Sequence, residues 1–234
     1  MSEQPVVSPR PWGTAENLPS AWRYRKWIVE STLPHIGAKP LLLAAGAGEY
    51  AQEWAAHGVA LTASEEEPQL VEALTARFAD DPRVQVRELT LPAQEDADYS
   101  SVIALNVLEH QADDEGTLRS LHRLVEPGGA AVVMVPACGV AMSWFDHQIG
   151  HLRRYGRGEL VRLAERSGWH VESVHFFNSL GLLVWVVAVR MLGMTPEPGV
   201  LLDAWDTAAI PVLRMLEQRF PPLLGKELFL VARH

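Results

Sequence analysis

Residues Leu41–Tyr50 read LLLAAGAGEY, an apolar run that ends in Gly46-Ala47-Gly48 and passes straight into a helix-compatible segment, Glu49–His57. Small residues at a strand-to-helix turn let the backbone come close to a bulky ligand and aim the helix's first N–H groups at it. The stretch predicts an α/β fold with its ligand at this turn, although Gly-x-Gly alone fits an ordinary tight turn equally well.

The neighbouring segments extend the pattern. Pro40–Ala44 reads as a short buried strand and Tyr50–His57 as a helix ended by Gly58. Val59–Ser64 is the next strand, followed by a helix over Pro68–Phe78 with Pro68 in its first turn and Leu70 and Leu74 inward. Arg83–Glu88 alternates as a third strand, Ser101–Asn106 is a fourth, and Asp113–Val125 is a helix with acids at its positive end. Pro127-Gly128-Gly129 turns into a fifth strand, Ala130–Val135. Upstream, Ser20–Leu33 reads as a helix with Ser20 as N-cap, Trp22, Trp27 and Ile28 near one face, and Pro34 as its stop. Met1–Pro19 has no periodicity and is expected to be a loose arm. Downstream come a helix over Glu159–Ser167, a strand over Val171–Phe177, an apolar helix over Leu182–Leu192, an amphipathic one over Leu201–Arg219, and a last strand over Lys226–Ala232.

Such alternation implies a doubly wound, mostly parallel sheet with helices on both faces. Ligands of that architecture bind over the carboxyl ends of the strands. The expected rim is therefore Ala45–Glu49, Ser64–Glu66, Thr90-Leu91, Asn106–His110 and Pro136–Phe145. One domain, residues 20–234, is expected, with acceptor-side elements over about 137–225.

Composition narrows the function. The 234 residues carry a net charge of −9, which argues against nucleic acid or an anionic membrane as partner. A single cysteine, Cys138, excludes an internal disulfide and suits a reducing compartment. Met1–Arg10 lacks a signal-peptide pattern, and the apolar run Leu180–Val189 is about half of a membrane span, so a soluble cytoplasmic protein is expected.

With the strands laid out, the chain resembles class I S-adenosylmethionine (SAM) dependent methyltransferases over roughly Trp22–Arg233. The features that carry this are the glycine turn, Glu65 in ASEEEPQLVEAL, Asn106-Val107-Leu108-Glu109-His110 and EPGGAAVVMVP. The stretches WFDHQIGHLRRY, HFFNSLG and ELFLVAR continue it. They are similar to a bacterial subgroup with an Asp followed by Gly-His-x-Arg-Arg-Tyr after strand five. The resemblance implies a seven-stranded sheet and SAM as cofactor, held by Gly46, Gly48, Glu65, Thr90 and Asn106. Glu65 matches the carboxylate that accepts both ribose hydroxyls. Two positions depart from the family's glycine loop: its acid has become Leu42 and its first glycine Ala44. Thr90 stands where an Asp often holds the adenine. A charged hydrogen bond contributes about 1.5–3 kcal/mol, so loss of the loop acid alone weakens SAM roughly ten- to a hundredfold.

Methyl transfer needs positioning and, for an O–H or protonated N–H acceptor, a base. His110, at the end of strand four, can face the reacting carbon or simply orient its own turn. Trp144, Phe145, Asp146, His147 and His151 read as a loop in which Asp146 and His151 can form an oriented acid–imidazole pair beside the aromatic residues, with Trp144, Phe145, Arg154 and Tyr155 as substrate-binding candidates. The alternative is that Gly150–Tyr155 is a structural lid in which arginines pair with acids. No metal is expected on Asp146, His147 and His151, because Gly150 interrupts a helix there and no third ligand is evident nearby.

Three readings follow: a small-molecule methyltransferase in specialised or envelope metabolism, a methyltransferase fold that performs ring closure or elimination instead, and a partner subunit. A protein partner or second copy would dock through the apolar 180–192 region.

Overall fold

The computed structural model describes residues 21–97, 99–195 and 199–234. The expected arm and the Ser20 cap lie outside the described residues.

The strands are β1 Pro40–Leu42, β2 Leu61–Glu65, β3 Val84–Glu88, β4 Tyr99–Leu105, β5 Val125–Pro136, β6 His170–Phe177 and β7 Glu227–Arg233. They form one sheet in the order β3-β2-β1-β4-β5-β7-β6. The first five strands run parallel, and β7 lies antiparallel between β5 and β6. This is the expected mostly parallel, doubly wound sheet.

Alternation along each strand shows why both faces carry helices. Leu41, Val102 and Val133 point to one side, into a core with Leu118 and Leu121 of α4 (Asp114–Leu124) and Leu160 and Leu163 of α6 (Arg157–Arg166). Leu42 and Ile103 point to the other side, where they meet Val29 of α1 (Trp22–Thr32), Trp54 of α2 (Glu49–Ala56) and Leu74 of α3 (Pro68–Arg77). On that side too, Val132 and Met134 pack on Tyr24, Trp27 and Ile28 of α1 and on Ile210 and Leu213 of α9 (Ile210–Arg219).

Several expectations are corrected. Trp22 is 44% exposed and lies off the buried face of α1, while Leu70 is only half-buried. β5 starts at Val125, ahead of the turn glycines, with a register irregularity against β4. Trp144–Gln148, read as loop, is a short helix α5, because Ser143 and Asp146 form a capping box around its start. The apolar segment is α7, Ser179–Val184, continued by a π-helical stretch, Trp185–Met191. Before α9 lie α8, Val200–Ala204, and a second π-helical stretch, Trp205–Ala209. None of the described helices is long and apolar enough to cross a membrane.

That second π-helical stretch supplies the cap of α1. Asp206, 1% exposed, accepts from Arg23 N–H at 3.0 Å and Tyr24 N–H at 2.9 Å. A carboxylate between two first-turn N–H groups satisfies donors that the helix itself leaves open. Asp206→Ala should therefore destabilise the fold by about 2 kcal/mol, seen as a lower urea midpoint at unchanged m-value.

Candidate active site

The carboxyl ends of β1, β2 and β4 carry the site. At the glycine turn, Ala45 N–H donates to Ser64 O at 2.9 Å and Ser64 Oγ–H to Leu42 O at 3.0 Å, which pins the ends of β1 and β2 together. Gly46 and Gly48 take φ +59° and +89°. A Cβ on Gly48 would stand 2.7 Å from the Phe78 ring, so only glycine fits there. Ala44 also adopts positive φ, +47°. That conformation costs an L-residue roughly 1–2 kcal/mol. Ala44 thus holds a backbone shape that glycine would adopt without that cost.

Glu65 is 6% exposed and faces this turn. Its Oε2 accepts from Gly46 N–H at 3.0 Å and its Oε1 from Glu66 N–H at 3.1 Å. A carboxylate has about four lone-pair sites, so capacity for a diol remains. Ala44, Ser64, Glu65, Glu66, Leu89, Leu91, Val107 and Gln111 line a recess of only about 20 Å³. Leu42 is buried in the core and offers no charged group to this recess. Thr90 is exposed, and its neighbours Leu89 and Leu91 line the recess. Asn106 takes φ +53° and donates its N–H to Met134 O at 2.8 Å, turning the chain out of β4. A larger depression, about 390 Å³, opens at the opposite end of the sheet around His35, Lys39, Ser100 and Arg233. It sits at the amino ends of the strands, where this architecture does not place its ligands.

The second half of the site is a buried polar cluster. Asp146 is fully buried. Its Oδ1 accepts from Arg154 Nη2 at 2.7 Å, Arg154 Nε at 3.0 Å and His151 Nδ1 at 3.1 Å. Its Oδ2 accepts from both the N–H and the Oγ–H of Ser143 at 2.7 Å. Burial alone would raise this carboxyl, but hydrogen bonds from His151, Arg154 and Ser143 and the guanidinium charge outweigh it and hold it well below the carboxylate range. So strongly stabilised a carboxylate is a poor proton acceptor, which makes Asp146 an anchor and orienter and disfavours it as a base.

His151 is 6% exposed, and its Nε2 lies 3.7 Å from Oε1 of Glu109, which is fully buried. The His110 ring meets it edge-on with centroids 4.8 Å apart, and His110 Nδ1 lies 3.2 Å from Gly150 O. The structure thus brings His110, His151 and Asp146 together, adding Glu109 and Ser143, which reading the sequence did not single out. Glu109 was legible only as part of the strand-four turn. Nothing in the spacing showed that the turn faces the loop forty residues on.

Three substrate-binding expectations, Phe145, Arg154 and Tyr155, do not fit. Arg154 is buried, with Nη1 donating to Ala137 O at 3.2 Å and its guanidinium 4.8 Å over the Trp185 ring. Its donors are engaged, as the structural-lid alternative required. Tyr155 is fully buried and donates its hydroxyl to Asp114 Oδ2 at 3.0 Å; burial first, and the Asp114 charge next, push this phenol above its ordinary range. Phe145, also buried, packs edge-on against Trp185, while its neighbour Trp144 is 44% exposed.

Comparison with known proteins agrees with this fold. Residues 41–131 match the family described as a methyltransferase domain. No curated protein matches the chain. Among solved structures, it is similar to a SAM-dependent methyltransferase from Mesorhizobium loti, 15% identical over 90% of this chain and 98% of that one, at a TM-score of 0.61. A Haloferax volcanii methyltransferase in complex with its Trm112 activator is 19% identical over 92% and 96%, at 0.60. The [4+2]-cyclase SpnF is 16% identical over 97% of this chain and 85% of its own, at 0.59. The chain has the class I methyltransferase fold and carries that fold's methyltransferase domain pattern over residues 41–131.

Proposed function

We propose that the protein is a SAM-dependent methyltransferase acting on a small molecule. The observation that carries this reading is Glu65, held at the lip of the glycine turn by Gly46 N–H with acceptor capacity left over. In this reading Glu65 accepts the ribose hydroxyls, and Gly46 and Gly48 let backbone approach the cofactor. Asn106 and Thr90 flank its adenosine end. His151, oriented through Nδ1 by Asp146, lies with His110 on the acceptor side, and Trp144 covers the acceptor's apolar part. A recess of about 20 Å³ is far below the roughly 300–1,000 Å³ of a ligand pocket. SAM therefore binds with an opening of the rim loops. Calorimetry with SAM and its demethylated product tests the proposal. No heat at millimolar ligand with folded protein would overturn it.

Ala44 favours a second reading, an enzyme of the same fold that catalyses ring closure or elimination without methylating. Its methyl group lines the recess where the backbone must come close to the cofactor. The likeness to a [4+2]-cyclase supports the fold's capacity for such chemistry. Transfer of labelled methyl from SAM to any acceptor would sink this alternative. Ala44→Gly separates the readings further. Relief of the left-handed strain, less glycine's entropy cost, should stabilise the fold by about 0.5–1 kcal/mol. If the recess is a SAM site, SAM should also bind more tightly to that variant in calorimetry. A partner or second copy is proposed to cover the apolar 180–192 face, where Leu183, Met191 and Leu192 are exposed. Light scattering of the lone chain, with and without a co-expressed neighbour, tests that part.

A further inference from the structure

We infer that Glu109, His110 and His151 form a binding site for a divalent transition-metal ion of the zinc type, placed between the strand-four turn and the Gly150–His151 loop. The three residues bring one carboxylate oxygen and two imidazole nitrogens within 4.8 Å of one another. Two histidines and a glutamate are a common donor set for zinc, and such ions take imidazole with carboxylate readily. Sequence spacing led to no metal being expected on Asp146, His147 and His151. The fold assembles a different set, from two segments forty residues apart.

The outer partners of both rings suit a metal site. His151 Nδ1 faces Asp146 Oδ1 at 3.1 Å, and Asp146 is a pure acceptor. A neutral ring with its proton on Nδ1 would turn an Nε2 lone pair toward Glu109, 3.7 Å away. His110 Nδ1 likewise faces a pure acceptor, Gly150 O, at 3.2 Å, which places its proton on Nδ1 and its lone pair on Nε2. Carboxylate and backbone carbonyl behind a ligating imidazole are the usual outer partners of metal-bound histidine. Both are present here before any ion is.

Distances are compatible with small adjustments. On a tetrahedron with metal–ligand bonds of about 2.0–2.1 Å, ligand atoms stand roughly 3.3 Å apart. The pair His151 Nε2 and Glu109 Oε1 is at 3.7 Å, close to that already. His110 is the half-buried member of the three. Leu152 N–H donates to Glu109 O at 2.8 Å, so the two segments are tied together independently of the ion. Three protein ligands leave a fourth position for water or a substrate oxygen. Val107 and Gln111, on either side of Glu109 and His110 in sequence, line the recess assigned above to the cofactor, so the ion lies beside that recess. The inference does not rest on methyl transfer. With an ion bound, the His151 lone pair is a ligand, and proton removal from an acceptor passes to the ion and its bound oxygen.

The test uses the full chain, stripped with chelator and titrated with Zn²⁺ by calorimetry, with Co²⁺ absorption as a second readout. One equivalent should bind, with Co²⁺ giving ligand-field bands of a low-coordinate nitrogen–oxygen site. His110→Ala alters a half-buried ring and should weaken Zn²⁺ by at least about 100-fold, the upper end of what loss of an outer partner costs. Glu109→Gln keeps the shape and should do the same, while His147→Ala, an exposed neighbour, should leave affinity unchanged. Circular dichroism of each variant confirms folding. Absence of stoichiometric Zn²⁺ binding to the folded wild type, or binding indifferent to His110→Ala and Glu109→Gln, overturns the inference. SAM calorimetry on the stripped and loaded samples is scored separately, so either proposal can fail without the other.

Discussion

Asp146→Ala should cost about 3–5 kcal/mol of stability, the largest loss expected of any single change in the Ser143–Tyr155 segment. The carboxylate receives five hydrogen bonds at 2.7–3.1 Å from Ser143, His151 and Arg154. Its removal leaves the Arg154 guanidinium, 1% exposed, without its counter-charge. An uncompensated buried charge costs far more than the ion pair contributes net. It also removes the capping box of α5 and frees the His151 ring to rotate. Urea unfolding of the folded variant measures the loss. A value under 1 kcal/mol would show that water reaches Arg154. Replacing Asp146 and Arg154 together with apolar residues should recover much of the loss, and the cycle isolates their coupling.

The same group fixes an acid limit. The folded-state value of Asp146 is depressed relative to the unfolded chain, near 3.9. Its contribution is fully present above that unfolded value and is lost as pH falls toward the folded one. Stability of the wild type should therefore decline below about pH 4–5, and Asp146→Ala should decline less over that interval. Equal slopes would remove Asp146 from the account of acid sensitivity.

The strands were legible because each is a short apolar run set between turn residues, and sheets with two covered faces need such runs. Where the reading failed, the deciding partner was far away in sequence. The cap of α1 comes from Asp206, 182 positions beyond Tyr24. No local signal points there. Trp144–Gln148 looked like loop because its capping residues, Ser143 and Asp146, also read as polar loop chemistry. Arg154 illustrates the site. Its type and spacing suited either an anion clamp or a lid, and only its burial against Asp146 and Trp185 decided for the lid. His110, Asp146 and His151 were legible as chemistry-bearing residues, but Glu109 gained meaning only once the strand-four turn was seen to face His151.

Glu65→Ala should raise the dissociation constant for SAM about 10–100-fold if the recess is a cofactor site. Hydrogen bonds from a diol to a carboxylate contribute about 1.5–3 kcal/mol, and each 1.36 kcal/mol is a factor of ten. With Leu42 and Ala44 in place of an acid and a glycine, Glu65 would carry a larger share of such recognition than in a chain with an intact loop. The substitution has a second effect, because Glu65 also accepts from Gly46 and Glu66 N–H groups. Both N–H groups belong to half-buried residues that water can reach, so this part should cost only about 1 kcal/mol of stability. Glu65→Gln distinguishes the two roles. Its amide oxygen can still accept from Gly46, preserving the turn, while the lost charge should weaken the diol contact. A Gln variant as stable as wild type but weak for SAM assigns Glu65 to the ribose. If both variants bind SAM as wild type does, Glu65 is only a brace for the glycine turn. The strained Ala44 backbone would then mark a fold whose original cofactor site has closed.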